Sequence, residues 1–277
     1  MQPFIGSAAI RRGELTRRRL ARDFVALYRD VYVRRDLEMT ARIRAQAAWL
    51  STGATLVGTS AAAVLGTKWL NSNGPAEIIR ADRRAPAGIV VHSWTLEPTE
   101  TCTIAGMDVT TPARTAFDLG RSYRSDLAVP LVDALLNATN IKPADVLAVA
   151  DAHPGARGVA RLRSMLPMFD GGAESPQESR LRLLLVRGGL PTPETQLEFR
   201  DLHIRVDMGW REWKVAVEYD GVQHWANRRQ RSWDIDRIAL LEEVGWSMVR
   251  VSAEMMSRPH IIVERARAKL RAAGCRI

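Results

Sequence analysis

Apolar and polar positions alternate along this chain in several rhythms, each predicting a different kind of element. In TRRRLARDF, Thr16 stands where a helix N-cap belongs. Beyond it, Val25 and Leu27 on one side of Arg29-Asp30, and Val31-Tyr32-Val33 on the other, form the arms of a hairpin. A longer helix is predicted from about Glu38 to Leu50, with Ile43, Ala47 and Leu50 on one face. From about residue 75 to 122 the pattern shortens to strands, Ile78-Ile79, Ile89-Val90-Val91 and Met107-Asp108-Val109-Thr110, broken by Pro and Gly. Thr111 before Pro112 then starts a helix, and two more follow over Leu127–Asn137 and Pro143–Ala152. Asp170-Gly171-Gly172-Ala173 reads as a linker.

After the linker, Ser175-Pro176-Gln177-Glu178 has the order of a capping box, and Leu181, Leu184 and Leu185 line one helical face. Capping alone accounts for Glu178. Two period-two segments follow. His203–Met208 puts Ile204, Val206 and Met208 on one face and His203, Arg205 and Asp207 on the other. Lys214–Asp220 sets Val215, Val217 and Tyr219 against Lys214, Ala216, Glu218 and Asp220, with Gly209 and the intervening tryptophans as the turn. A helix over Asp234–Val244, a strand through Trp246 to Val251 and a closing helix over Val263–Ala272 complete the pattern.

The expected fold class is mixed α/β (α+β), in three parts. Residues 1–70 have the helix, arginine-rich helix, β-ribbon order of a winged helix-turn-helix. Residues 71–170 form a small mixed α/β and helical region, and residues 171–277 a mixed sheet flanked by helices.

Charge sharpens this picture. The formal net charge is +9, and residues 1–50 hold eleven arginines against five acids. Such a patch attracts a polyanion. Arginine makes up 36 of the 40 basic residues, as a GC-rich genome would also produce, so the clustering says more than the total. On a winged helix, Arg17, Arg18, Arg19 and Arg22 would face DNA phosphates and base edges. No apolar run reaches the roughly 20 residues of a bilayer span, and the N-terminal apolar stretch is too short for a signal peptide, so a cytoplasmic location is expected. Cys102 and Cys275 have no soft ligands beside them and support neither a zinc site nor a disulfide framework.

The most chemical feature is acidic. Antiparallel pairing of the two period-two strands would bring Asp207 near Glu218 and Asp220. Crowded carboxylates repel unless a cation lies between them, and oxygen ligands on strands suit Mg²⁺ or Mn²⁺. Glu218-Tyr219-Asp220-Gly221 ends a strand, with His224 and Trp225 just beyond. A glycine there permits close backbone approach. His224 is a candidate general base, and Trp225 a candidate DNA contact.

Two resemblances bear on function. GELTRRRLARDFVALYRDVYVRR, followed by a helical stretch and GMDVTTPARTAFDLGR, resembles AbiEi-type antitoxin-like winged-helix proteins over about residues 5–122. Known members of that family bind DNA as regulators. The VTTPARTAFDL segment carries no evident chemistry, so Arg114 and Asp118 read as structural. SPQESRLRLLLVRGGLP, RVDMGW, VAVEYDGVQHW and DIDRIALLEEVGWSMVRVS resemble the PD-(D/E)XK nucleases of the very-short-patch-repair branch, over about residues 174–252. That resemblance implies a restriction-endonuclease-like fold, with Glu178, Asp207 and Glu218 acting around a metal. Asp220 stands where the family has lysine, which leaves His224 or Arg237 to supply positive charge or move a proton.

The expectation from sequence is therefore a Mg²⁺- or Mn²⁺-dependent DNA endonuclease, with metal ligands Asp207, Glu218 and Asp220, targeted by the N-terminal module. DNA is the expected partner, a second copy of the chain is allowed, and neither a membrane nor a small-molecule cofactor is implied. The alternative is a non-catalytic DNA-binding regulator, antitoxin-like, with a degenerate nuclease domain.

Overall fold

The computed structural model describes residues 2–82, 84–221 and 237–277. The chain divides into two compact units, Met1–Gly171 and Gly172–Ile277, meeting within the Asp170–Ala173 glycine pair. Both are mixed α and β. Among the described residues, no helix is long and apolar enough to cross a membrane.

The first unit opens with β1 (Phe4–Ile5), α1 (Gly6–Arg11), α2 (Arg17–Asp23), β2 (Phe24–Tyr28) and β3 (Val31–Arg34). Thr16 caps α2 by accepting the Arg19 N–H. The hairpin forms where expected, with Asp30 in the left-handed conformation at its turn, and β1 adds to it as β1-β3-β2. The next helix, α3 (Ala41–Thr52), is capped by Thr40 and so begins later than the sequence pattern suggested. Its buried residues are Ala45, Ala47 and Ala48, while Ile43 and Leu50 stay half-buried, so the small alanines form the face that lets the helix lie close to its neighbours.

A five-stranded sheet then forms from β4 (Thr55–Leu56), β5 (Ala76–Ile79), β6 (Ile89–His92), β7 (Thr101–Ile104) and β8 (Met107–Thr110), in the order β6-β5-β4-β8-β7. Helix α4 (Gly58–Val64) follows β4 directly. The expected division near residue 70 falls inside this sheet, because β4 pairs antiparallel with β5 and parallel with β8. Leu56, Ile78 and Val109 pack with the alanines of α3 in one core. Helices α5 (Pro112–Ser122), α6 (Ser125–Ala138), α7 (Pro143–Ala152) and α8 (Val159–Met165) complete the unit.

The second unit is built on a mixed four-stranded sheet, β12-β11-β10-β9, from β9 (Glu194–Phe199), β10 (Ile204–Trp210), β11 (Val215–Asp220) and β12 (Ser247–Ser252). Strands β11 and β12 are parallel, and the other pairs are antiparallel. On one face α9 (Pro176–Arg187) and α11 (Pro259–Ala272) bury Leu181, Leu185, Ile262 and Leu270 against Val215, Val217, Val249 and Val251. On the other, Leu241 of the helix α10 (residues 237–243) packs with Leu197, Ala216 and Trp246.

Two details differ from the alternation read in the sequence. Gly209 is not in the turn but inside β10, opposite Ala216, where a Cβ would lie 2.5 Å from the Val215 carbonyl oxygen. Ile204 and Val206 also belong to the α10-side cluster, whereas Met208 and Trp210 belong to the α9–α11 cluster. The strand's facing thus inverts at Asp207. Across from it, Gln196 has a φ of 50°, and the paired positions Val206↔Leu197 and Met208↔Thr195 leave Asp207 and Gln196 facing each other as the unpaired step. A left-handed non-glycine in a strand is a strained conformation of the kind found at functional sites.

Candidate functional site

The inversion places the carboxylates. Past Met208↔Val217 the β10–β11 ladder stops, and the Asp207 Oδ2 takes over as acceptor for the Tyr219 N–H at 2.7 Å. Glu218, on the next strand, is buried and accepts from Arg237 Nη2 of α10 at 2.5 Å. Arg237 also donates to the Arg205 carbonyl at 3.2 Å, which ties α10 to β10. Glu178 enters from the first turn of α9. Its N–H is capped by Ser175 Oγ at 3.3 Å, but its own carboxylate reaches past Ser175 and accepts from the Glu174 N–H at 2.9 Å. The same Oε2 accepts from Gln196 Nε2 at 3.2 Å. Gln196 is the contributor that sequence reasoning missed; only its position opposite Asp207 reveals it.

The electrostatic consequence falls on Asp207, whose pKa is raised to about 7. Removal from water is the main cause, and the charges of Glu178 and Glu218 add to it. The Tyr219 N–H and Arg237 oppose the shift without cancelling it. Glu178, Asp207, Glu218 and Arg237 are therefore brought together. Asp220 is not: it pairs with Arg250 of β12. Among the described residues, no three His, Cys, Asp or Glu side chains lie close enough together to form a ready-made metal site. His224 and Trp225 lie outside the described residues.

In the first unit, Arg17, Arg18, Arg19 and Arg22 are exposed on α2, while Leu20 anchors that helix inward. Arg22 is held by Asp23 at 2.6 Å, and Arg19 stands 3.7 Å from the same carboxylate. Arg17 and Arg18 have no acidic partner among the described residues. The β2–β3 ribbon follows directly, with Val25 exposed on it.

A charged network that the sequence reading took as merely structural lies under α5. Asp118 accepts from Arg114 Nε at 2.9 Å and from Arg121 Nη2 at 2.7 Å. Arg114 also pairs with Glu100, and Glu100 with His153 Nε2 at 2.6 Å. Arg114, Asp118, Arg121 and Glu100 are all buried. Their spacing along α5 puts Arg114, Asp118 and Arg121 on one helical face, a signal visible in the sequence.

The second unit thus combines a mixed sheet with an interrupted ladder and three neighbouring carboxylates; the first combines an arginine-bearing helix and ribbon with a buried ionic core. Comparison with known proteins connects with the first. The family model of the AbiEi antitoxin C-terminal domain matches residues 47–168, from within α3 to just past α8. The match includes the VTTPARTAFDL segment and ends before the second unit. Two uncharacterized proteins of Mycobacterium tuberculosis, from the CDC 1551 and H37Rv strains, are each 28% identical to this chain over 238 residues. That similarity spans 84% of this chain and 87% of each relative. No solved structure matches.

Proposed function

We propose that the chain is a DNA-binding regulator of the antitoxin type. The observation that carries this reading is α2, a capped helix that exposes Arg17, Arg18, Arg19 and Arg22 immediately before a β-ribbon. That is the order in which a winged helix presents a recognition helix and a wing to duplex DNA. The antitoxin-domain match over residues 47–168 supports it from the adjoining residues. Phosphate contacts by arginine release counterions, so affinity falls with salt in proportion to the contacts made.

Duplex DNA binding is therefore expected in EDTA, and its salt dependence measured by fluorescence anisotropy should be steep. In Arg17→Ala/Arg18→Ala, the slope of log affinity against log salt should become shallower by about 2, close to one unit per lost phosphate contact. Equal slopes for the variant and the wild type would remove α2 from the interface.

A second reading is favoured by one specific observation, Asp207, whose pKa is driven up first by removal from water and further by its neighbours Glu178 and Glu218. An all-oxygen donor set in which negative charges crowd one another suits a hard divalent cation. Asp207 and Glu218 would hold Mg²⁺ or Mn²⁺, with Glu178 beside them; Asp220 would join only by leaving Arg250. When bound, such an ion lowers the pKa of water and stabilises charge on a phosphate under attack. This chain's own contribution would be Arg237, which would exchange Glu218 for the phosphodiester and supply the positive charge that lysine gives in the PD-(D/E)XK nucleases.

On this reading Mn²⁺ binds the intact protein by calorimetry, and the binding heat disappears in Asp207→Ala. Plasmid nicking in Mn²⁺ should then fall by about 100-fold or more in Asp207→Ala. Intact plasmid with wild-type protein, together with no Mn²⁺ uptake, leaves only the regulator.

A further inference from the structure

The first unit contains a cavity of about 1010 Å³ that the DNA-binding reading does not use. Arg114, Arg121, Arg157 and Arg161 line it together with His153 and Trp94, and no acid is among its lining residues. Asp118 and Glu100 belong to the same network but lie behind the wall, each holding a guanidinium in place. Arg121 is fixed further by its guanidinium carbon, 4.3 Å from the centre of the Trp94 ring. Arg161 Nη2 donates to the Arg121 carbonyl at 2.5 Å, and Arg121 Nη1 donates to the Arg157 carbonyl at 3.4 Å. These contacts bind the far rim of the cavity to the buried pair. Gly158 makes that closeness possible: its φ is 87°, and a Cβ there would lie 2.3 Å from the Arg121 carbonyl oxygen.

The charge balance decides the ligand. Arg114 and Arg121 are neutralised by Glu100 and Asp118, whereas Arg157 and Arg161, both exposed, have no acidic partner among the described residues. Two positive charges therefore remain over one concave surface, with buried and preorganised guanidinium planes beneath them. Planar guanidiniums held in fixed orientation match the paired oxygens of a phosphoryl group, and loss of side-chain freedom on binding is small when the forks are already positioned. A single carboxylate would leave the pair half-compensated. The volume lies at the upper end for small-molecule sites, large enough for more than one phosphoryl group.

We propose that this cavity is a binding site for a phosphate-bearing anion. The phosphoryl groups can belong to a free polyphosphate or to a nucleic-acid backbone.

Titration calorimetry of the full chain with inorganic pyrophosphate, and separately with a short single-stranded oligonucleotide, distinguishes these sources. Arg157→Ala/Arg161→Ala alters exposed side chains and removes the Arg161 hydrogen bond to the Arg121 carbonyl, so the melting temperature should fall by only about 1–6 °C, leaving the unit folded. It is expected to weaken pyrophosphate binding by about tenfold or more. Arg17→Ala/Arg18→Ala should leave pyrophosphate binding unaltered. Loss of oligonucleotide affinity in Arg157→Ala/Arg161→Ala, without pyrophosphate binding to the wild type, would assign the phosphates to nucleic acid. Affinity for both ligands that is indifferent to Arg157 and Arg161 overturns the site. So does binding of a glutamate-rich peptide where neither phosphate ligand binds.

Discussion

Asp118→Ala should destabilise the first unit by about 3–5 kcal/mol, since removing one member of a buried ion network strands the others in a medium that cannot solvate them. Asp118 is shared between two guanidiniums, Arg114 at 2.9 Å and Arg121 at 2.7 Å, and its side chain is fully enclosed. Without it Arg114 keeps Glu100, but Arg121 loses its only carboxylate partner among the described residues while remaining buried. For a unit of this size the cost corresponds to a fall of about 6–20 °C in the melting transition. Asp118→Asn should lie between the two, because the amide oxygen still accepts a hydrogen bond but carries no charge. Circular-dichroism melts of the full chain, compared at one protein concentration, measure the effect. A loss below about 1 kcal/mol would mean that water or rearrangement replaces the carboxylate, and that α5 is not held by its charges.

That network also shows what was and was not legible in the sequence. Local signals were readable. Thr16 and Ser175 sit at their expected caps, the Arg29-Asp30 turn joins two strands, and α7 has the bounds the pattern suggested. Each of these is decided within a few residues. What was lost depends on partners distant in the chain. Strand β4 is only two residues long, and its pairing with both β5 and β8 is what fuses residues on either side of 70 into one sheet. Arg114 and Asp118 were readable as structural, but not their network, because Glu100 and His153, which extend it, come from other elements. Likewise the period-two rule put Val206 and Met208 on one face because it assumes unbroken extended backbone. The facing of β10 changes at Asp207, opposite the left-handed Gln196 of β9, and no residue type at either position announces it. The acidic cluster was thus readable as residues but not as geometry: Asp207 and Glu218 converge, while Asp220 turns to Arg250.

Asp207 should make the second unit less stable as pH rises from about 4 to 7. Its pKa is raised from 3.8 to about 7, so in this window the folded chain retains a proton that the unfolded chain has released. Below the window both states are protonated and the residue contributes no difference; above it both are ionised and the full cost of the charge remains. Stability falls with pH wherever the folded state binds more protons, so the sign is negative throughout the window. A shift of this size bounds the cost at about 4 kcal/mol. Asp207→Asn removes the charge, and with it the repulsion from Glu178 and Glu218, while its side-chain oxygen can still accept the Tyr219 N–H. The variant should therefore match the wild type near pH 4 and exceed it in urea-melt stability at pH 8. Because every other titrating group is common to both proteins, the difference between the two curves isolates Asp207. Millimolar Mn²⁺ adds a second axis. A cation held by Asp207 and Glu218 would stabilise the wild type at pH 8 and not the variant, closing the gap between them. Parallel stability curves from pH 4 to 8 would show that Asp207 is ionised and solvated in the folded protein, and the carboxylate cluster would then lose the crowding on which any cation site there depends.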